Sequence, residues 1–209
     1  MIILKQPWGH LGDNLQISTI PETAFNHFGK KDVYISNYNA CFNPEIHKLI
    51  WEMNPYIAGF INQDNSFIQW KMRPEGHIAS IEYAYGLPPV SRIPKIYYNY
   101  SDVKKEFYKN KCFIDLHSSQ ENFIRIQRSK NNFPIFFQNF KSDCEVYQIG
   151  FKNVEFVQNY SLEFPVYEIE SLFEYCDLIK YCKRFITCWS GLSALVSAIK
   201  RESELPKAE

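Results

Sequence analysis

A carboxylate, a few hydroxyls and two glycine turns carry the chemistry legible in this sequence. Asp13 closes the run Gly9-His10-Leu11-Gly12-Asp13, soon after the apolar segment Ile2-Ile3-Leu4. Glycines after a buried strand let the backbone turn sharply and approach a ligand closely. A helix starting there presents N–H groups and a partial positive charge, suited to an anion or a sugar oxygen. An acid at that point sits at the carboxyl end of the first strand, where open parallel sheets bind their ligands. Two roles for Asp13 stand side by side. It is a helix cap, for which Asp is favoured, or a base that takes a proton from a bound hydroxyl. The spacing departs from G-x-G-x-x-G, so a dinucleotide fingerprint is not supported.

A second strand, turn and helix start is Trp189-Ser190-Gly191-Leu192-Ser193, an anion cradle with two hydroxyls, Ser190 and Ser193. A Ser cap followed by a packing Gly accounts for the same residues. G-x-S-x-G is absent, so no nucleophile elbow is indicated. His117-Ser118-Ser119 puts polar groups at the end of another strand, where a lone His is more often structural than catalytic. Arg73, Glu75 and His77 belong to a long loop region of a kind that often holds substrates, with solvated charge as the default account. Asp and Glu are scattered and no D-x-D pair is present to hold a divalent ion, so neither a metal nor a cofactor is expected.

These residues need elements to hold them. Ile2 to Lys5 predicts a buried parallel strand ended by Pro7 and Gly9. Leu15, Ile17, Ile20, Ala24 and Phe28 have helical spacing after Asp13-Asn14, with Pro21 bending that helix or marking a late start. Strands follow at 32–36 and 56–60, with helices over 44–53 and 77–85, the second closed by Gly86. The stretch 62–76 reads as a long loop, and 92–99 as a segment crossing toward a second half. That half predicts strands at 112–116, 145–150 and 184–188, and helices over 169–181 and 192–199, before a charged tail. Strands alternating with helices argue for α/β halves with parallel sheets. The predicted division is 1–105 and 106–209.

The 209 residues suffice for one large domain or two small ones. The net charge of zero gives no basic stripe, so nucleic acid is not an expected partner. Six cysteines form no C-x-x-C pair and no zinc spacing with His, and Cys112 and Cys188 sit in apolar runs as buried reduced thiols would. The apolar start is too short for a signal peptide, and no run approaches the roughly 20 residues of a membrane span. A soluble cytoplasmic protein is expected.

The segment Gly12 to Pro21 resembles the Gly-Asp signature, followed by Ser/Thr and Pro, that opens the ADP-heptose:lipopolysaccharide heptosyltransferase-type family. Pro44 to Phe60 and His77 to Pro94 are similar to that family's next segments, and Leu116-His117-Ser118-Ser119 sits where members carry H-P-G-(A/S). Phe185 to Ile199 is similar to the segment that holds the nucleotide diphosphate, with Trp189 and Ala194 at the positions of the family's acid and histidine.

The resemblance implies a GT-B fold: two Rossmann-like halves facing a central cleft, acceptor against the first and donor in the second. It implies inverting, metal-independent transfer from a nucleoside-diphosphate sugar to a glycan or glycolipid acceptor of a surface polysaccharide such as lipopolysaccharide or capsule. Such an acceptor would bring the protein to the inner face of a membrane as a peripheral partner. Asp13 becomes the base, Ser118, Ser119, Ser190, Gly191 and Ser193 hold the diphosphate, and Gly9, His10, Gly12, Arg73 and His77 lie on the acceptor or loop side. The substitutions at Trp189 and Ala194 support an alternative, a non-catalytic binding or partner subunit of the same fold. A nucleotide-sugar epimerase would need further acids and a histidine at the donor, for which only His117 is available.

Overall fold

Ile2–Leu4 forms β1, with Ile3 and Leu4 buried as in a parallel strand covered on its faces. The computed structural model describes residues 1–5, 10–38, 43–63, 68–115, 140, 142–152, 164–187 and 191–200. β1 pairs in parallel with β2 (Val33–Ser36), and β2 with β3 (Gly59–Ile61), in the order β1-β2-β3. The third strand thus begins later than predicted, because Asn54 and Tyr56 are engaged in a turn in which the Asn54 Oδ1 accepts from the Tyr56 amide at 3.0 Å.

Two helices, α1 (Leu11–Ile17) and α2 (Ile20–Phe28), replace the single interrupted one. Pro21 is the second residue of α2, where its missing N–H costs nothing. The break falls at Ser18 and Thr19. The Ser18 hydroxyl donates to the Leu15 carbonyl at 2.8 Å and accepts the Lys95 amide at 2.9 Å, so a distant segment fixes where α1 stops. Gly29, left-handed at φ 70°, closes α2. α3 (Pro44–His47), capped by the Asn43 side chain, runs on into a π-helical turn, Lys48–Glu52.

α4 (His77–Ala84) packs against α1 and carries a buried acid, Glu82. Its carboxylate accepts the Thr23 hydroxyl at 2.7 Å and the amides of Val90 and Ser91 at 3.0 and 2.9 Å. One side chain thereby ties α2, α4 and the Pro-rich segment that follows. Glu82→Ala would strand three donors in the interior. The expected loss is about 3 kcal/mol of unfolding free energy, read from urea denaturation.

The second sheet holds β4 (Lys111–Asp115), β5 (Glu145–Phe151), β6 (Val166–Ile169) and β7 (Arg184–Thr187), all parallel, in the order β6-β5-β4-β7. α5 (Lys105–Tyr108) packs on α6 (Leu172–Tyr181). α6 starts three residues later than predicted, because Ile169 belongs to β6 and Ser171 caps the helix by accepting the Glu174 amide at 3.1 Å. Burial pushes the Cys112 thiol up to about 11, which suits the expected reduced core cysteine, while Cys188 lies outside the described residues.

α7 (Gly191–Ile199) ends the described chain and packs on α1. By its contacts the chain divides into Tyr100–Ser190 and a discontinuous unit made of Met1–Asn99 with the chain from Gly191 on. The division at 105/106 put that last helix in the second half; its packing on α1 returns it to the first. Among the described residues, no helix is long and apolar enough to cross a membrane.

Candidate functional site

Asp13 is the third residue of α1, in its first turn, and is half-buried. The residue at the cap position is His10, extended at φ −83° and ψ 152°, and its side chain makes no capping bond. Asp13 is therefore not the N-cap that its type allows, and among the described residues no hydrogen bond reaches its carboxylate. Burial raises its pKa above the usual 3.8, and the nearby His10 offsets part of that rise. The result is an ionisable oxygen pair at a helix start with no hydrogen bond among the described residues, the state a proton acceptor needs.

Asn14, the next residue, is fully buried and secures the same turn. Its Nδ2 donates to the His10 carbonyl at 2.8 Å, and its Oδ1 accepts the indole N–H of Trp51 at 2.9 Å. Trp51 is itself buried in the π-helical turn after α3. Neither residue was singled out from sequence as part of a site. Asn beside Asp13 reads as a second cap candidate, and its inward direction depends on a tryptophan 37 positions away.

Gly12 brings α1 and α7 into backbone contact. A Cβ added at Gly12 would lie 2.9 Å from the Gly191 Cα, and one at Gly191 would lie 2.9 Å from the Gly12 nitrogen. Two of the sequence-predicted site residues, far apart in the chain, are thus adjacent within one unit. Ser193 follows on α7, its carbonyl accepting the Ser197 hydroxyl at 2.9 Å.

Arg73 and His77 form a separate group. The Arg73 guanidinium donates to Glu75 at 3.3 Å and lies 4.0 Å over the Tyr83 ring. His77 opens α4 with its ring 5.4 Å from that of Trp70, and burial lowers its pKa, keeping the imidazole neutral at pH 7. No hydrogen bond or ring contact among the described residues links this pair to His10, Gly12 or Asp13. Gly9, His117, Ser118, Ser119, Trp189 and Ser190 lie outside the described residues.

At the carboxyl end of β4 the second unit buries an acid that the sequence reading left unassigned. Asp115 accepts the Tyr175 hydroxyl, whose own proton is held well beyond the usual range by burial and by that carboxylate.

No family model matches the sequence, and no curated protein does. Solved structures that share the fold include two glycosyltransferases. One is described as the dodecameric iron-containing heptosyltransferase TibC in complex with ADP-D-beta-D-heptose, at TM-score 0.59 and 15% identity. The other is the iron-containing dodecameric glycosyltransferase TibC from enterotoxigenic E. coli H10407, at TM-score 0.62 and 15% identity. The fold is glycosyltransferase-like, of GT-B type. Each match covers 95% of this chain, which spans only 55% and 56% of the two neighbours. The glycosyltransferase-like fold thus accounts for both parallel sheets.

Proposed function

We propose that the protein is a glycosyltransferase that moves a sugar from a nucleoside-diphosphate sugar to a glycan or glycolipid acceptor, with inversion and without a metal. The observation that carries this reading is the half-buried carboxylate of Asp13 in the first turn of α1, which has no hydrogen bond among the described residues. Asp13 takes the proton from an acceptor hydroxyl as that oxygen forms its bond to the anomeric carbon. The bond from that carbon to the diphosphate oxygen breaks in the same step, and the diphosphate departs with the electron pair. Helix-start amides and the hydroxyls of Ser118, Ser119, Ser190 and Ser193, with the Gly191 backbone, are assigned to the leaving diphosphate. Gly9, His10, Gly12, Arg73 and His77 are assigned to the acceptor or its loops. The acceptor class fits surface-glycan assembly, and an anchored acceptor would draw the protein to the cytoplasmic membrane face. The TibC neighbour bound to ADP-heptose supports a nucleotide-sugar donor in general.

A non-catalytic binding subunit is the second reading, favoured by Trp189 and Ala194 at the positions of the family's acid and histidine. Thermal-shift screening against nucleoside diphosphates and their sugars tests donor binding. A ligand present at a hundred times its Kd stabilises the folded state by about 2.7 kcal/mol, which is expected as a clear rise in Tm. No rise with any nucleotide would remove the transferase reading. A rise without transfer to any acceptor would favour the binding subunit.

A further inference from the structure

We propose that Asn14, oriented by Trp51, fastens the start of α1 from inside and so keeps the Asp13 carboxylate out of helix capping. The proposal rests on reading Asp13 as the acceptor-side base, and it makes Asn14 and Trp51 positioning residues. A helix start leaves its first amides without intrahelical partners, and a side chain near the start commonly takes them. An acid at the third helical position is suited to bend back over that turn, as in a capping box. Asp13 occupies that position and does not bend back, although the cap residue His10 offers no side-chain bond.

Another side chain secures the turn from its carbonyl side, taking none of those amides. The His10 carbonyl accepts the Asn14 backbone N–H at 3.2 Å and the Asn14 Nδ2 at 2.8 Å, a double grip on one oxygen. The indole of Trp51 can only donate, so it fixes which end of the Asn14 amide faces it. The side-chain oxygen meets the indole, and the NH2 is left for His10. Both residues are 0% exposed, and the bond between them is buried away from water. Trp51 reaches Asn14 from a π-helical turn, a rare irregularity that recurs at functional sites. Among the described residues, His10 is the neighbour whose electrostatic effect lowers the Asp13 pKa, and it is the residue whose carbonyl Asn14 holds.

The test follows the Asp13 carboxyl carbon by NMR through a pH titration of the full chain, alongside transfer kinetics. In Asn14→Ala the released turn lets the carboxylate accept backbone amides. Its titration midpoint is then expected to fall by about one unit, because hydrogen bonds to the charged form favour that form. The kcat falls roughly ten- to a hundredfold as the base is misplaced, with donor KM unchanged. Trp51→Phe removes only the N–H donor and is expected to give a smaller fall in the same direction; it decides the matter where Asn14→Ala does not fold. A folded variant of either residue whose Asp13 midpoint stays at the wild-type value overturns the proposal, because a merely structural role lowers Tm alone. That result would leave the base reading standing. Transfer unaffected by Asp13→Asn would overturn the base reading and leave the titration result intact.

Discussion

Asp13→Asn is expected to lower the transfer rate by roughly 10²- to 10⁴-fold while nucleotide binding persists. The size is that of a positioned general base, since the amide keeps the shape of the carboxylate and cannot accept the proton. The pH dependence supplies a second signature. Burial raises the Asp13 pKa, so the rate of the parent protein should fall on the acid side at a pH above the ordinary 3.8 of an aspartate. The stability effect runs the other way. A carboxyl whose folded pKa exceeds its unfolded pKa binds more protons in the native state. Stability then declines as pH rises from the unfolded value through the folded one, and at neutral pH the ionised group weighs against the fold. Asp13→Asn should therefore match or slightly exceed the parent in Tm at pH 7, the pattern of a residue kept for activity. Unchanged kcat in this variant would return Asp13 to a structural part.

Gly12→Ala and Gly191→Ala should each lose both stability and transfer. In an ordinary helix, alanine is favoured over glycine by about 1 kcal/mol. Here the new methyl would stand 2.9 Å from backbone atoms of the facing helix, and a backbone cannot swing aside as a flexible side chain can. Forcing α1 and α7 apart costs about 1–3 kcal/mol, enough to cancel or reverse the helical gain. The double variant should cost less than the sum of the singles, since one separation makes room for both methyls. Urea denaturation of the three variants gives these numbers directly. A Gly12→Ala protein more stable than the parent would mean that the close approach of the helices is not needed. Transfer should fall in parallel, because Asp13 directly follows Gly12.

The local parts of this arrangement could be read from sequence. A short apolar run ended by Pro7 and Gly9 announces β1, and of the two readings of Pro21, a bend or a late start, the structure has the second. Three of the four described strands of the second sheet, β4, β5 and β7, were equally visible, and so was the α/β class with parallel strands. What escaped depended on partners distant in the chain. The break at Ser18 is set by Lys95, the turn before Asp13 by Trp51, and the buried acid Glu82 by Thr23 and the amides near residue 90. An acid within a helix carries no mark of burial until its donors are assembled around it. β6 is the instructive miss. Val166–Ile169 is apolar enough for either state, yet Ser171 and Glu174 form the S-x-x-E spacing of a helix start, which places the boundary after Ile169. The polar groups at 117–119 and the small-residue turn at 189–193 were picked out by local patterning, and only the resemblance attached a diphosphate role to them.

The allegiance of α7 sets an order of events. The unit that carries Asp13 is interrupted by the whole of Tyr100–Ser190 and regains its last helix only at Gly191. During synthesis from the N-terminus, the second sheet can pair before its neighbour is complete, while Gly12 waits for a partner made about 180 residues later. Contacts of such sequence separation form late and slow the search for the native state. The acid would thus be the last part to reach its working surroundings. A chain released before Gly191 would carry a finished second sheet and an uncovered helix start at Asp13.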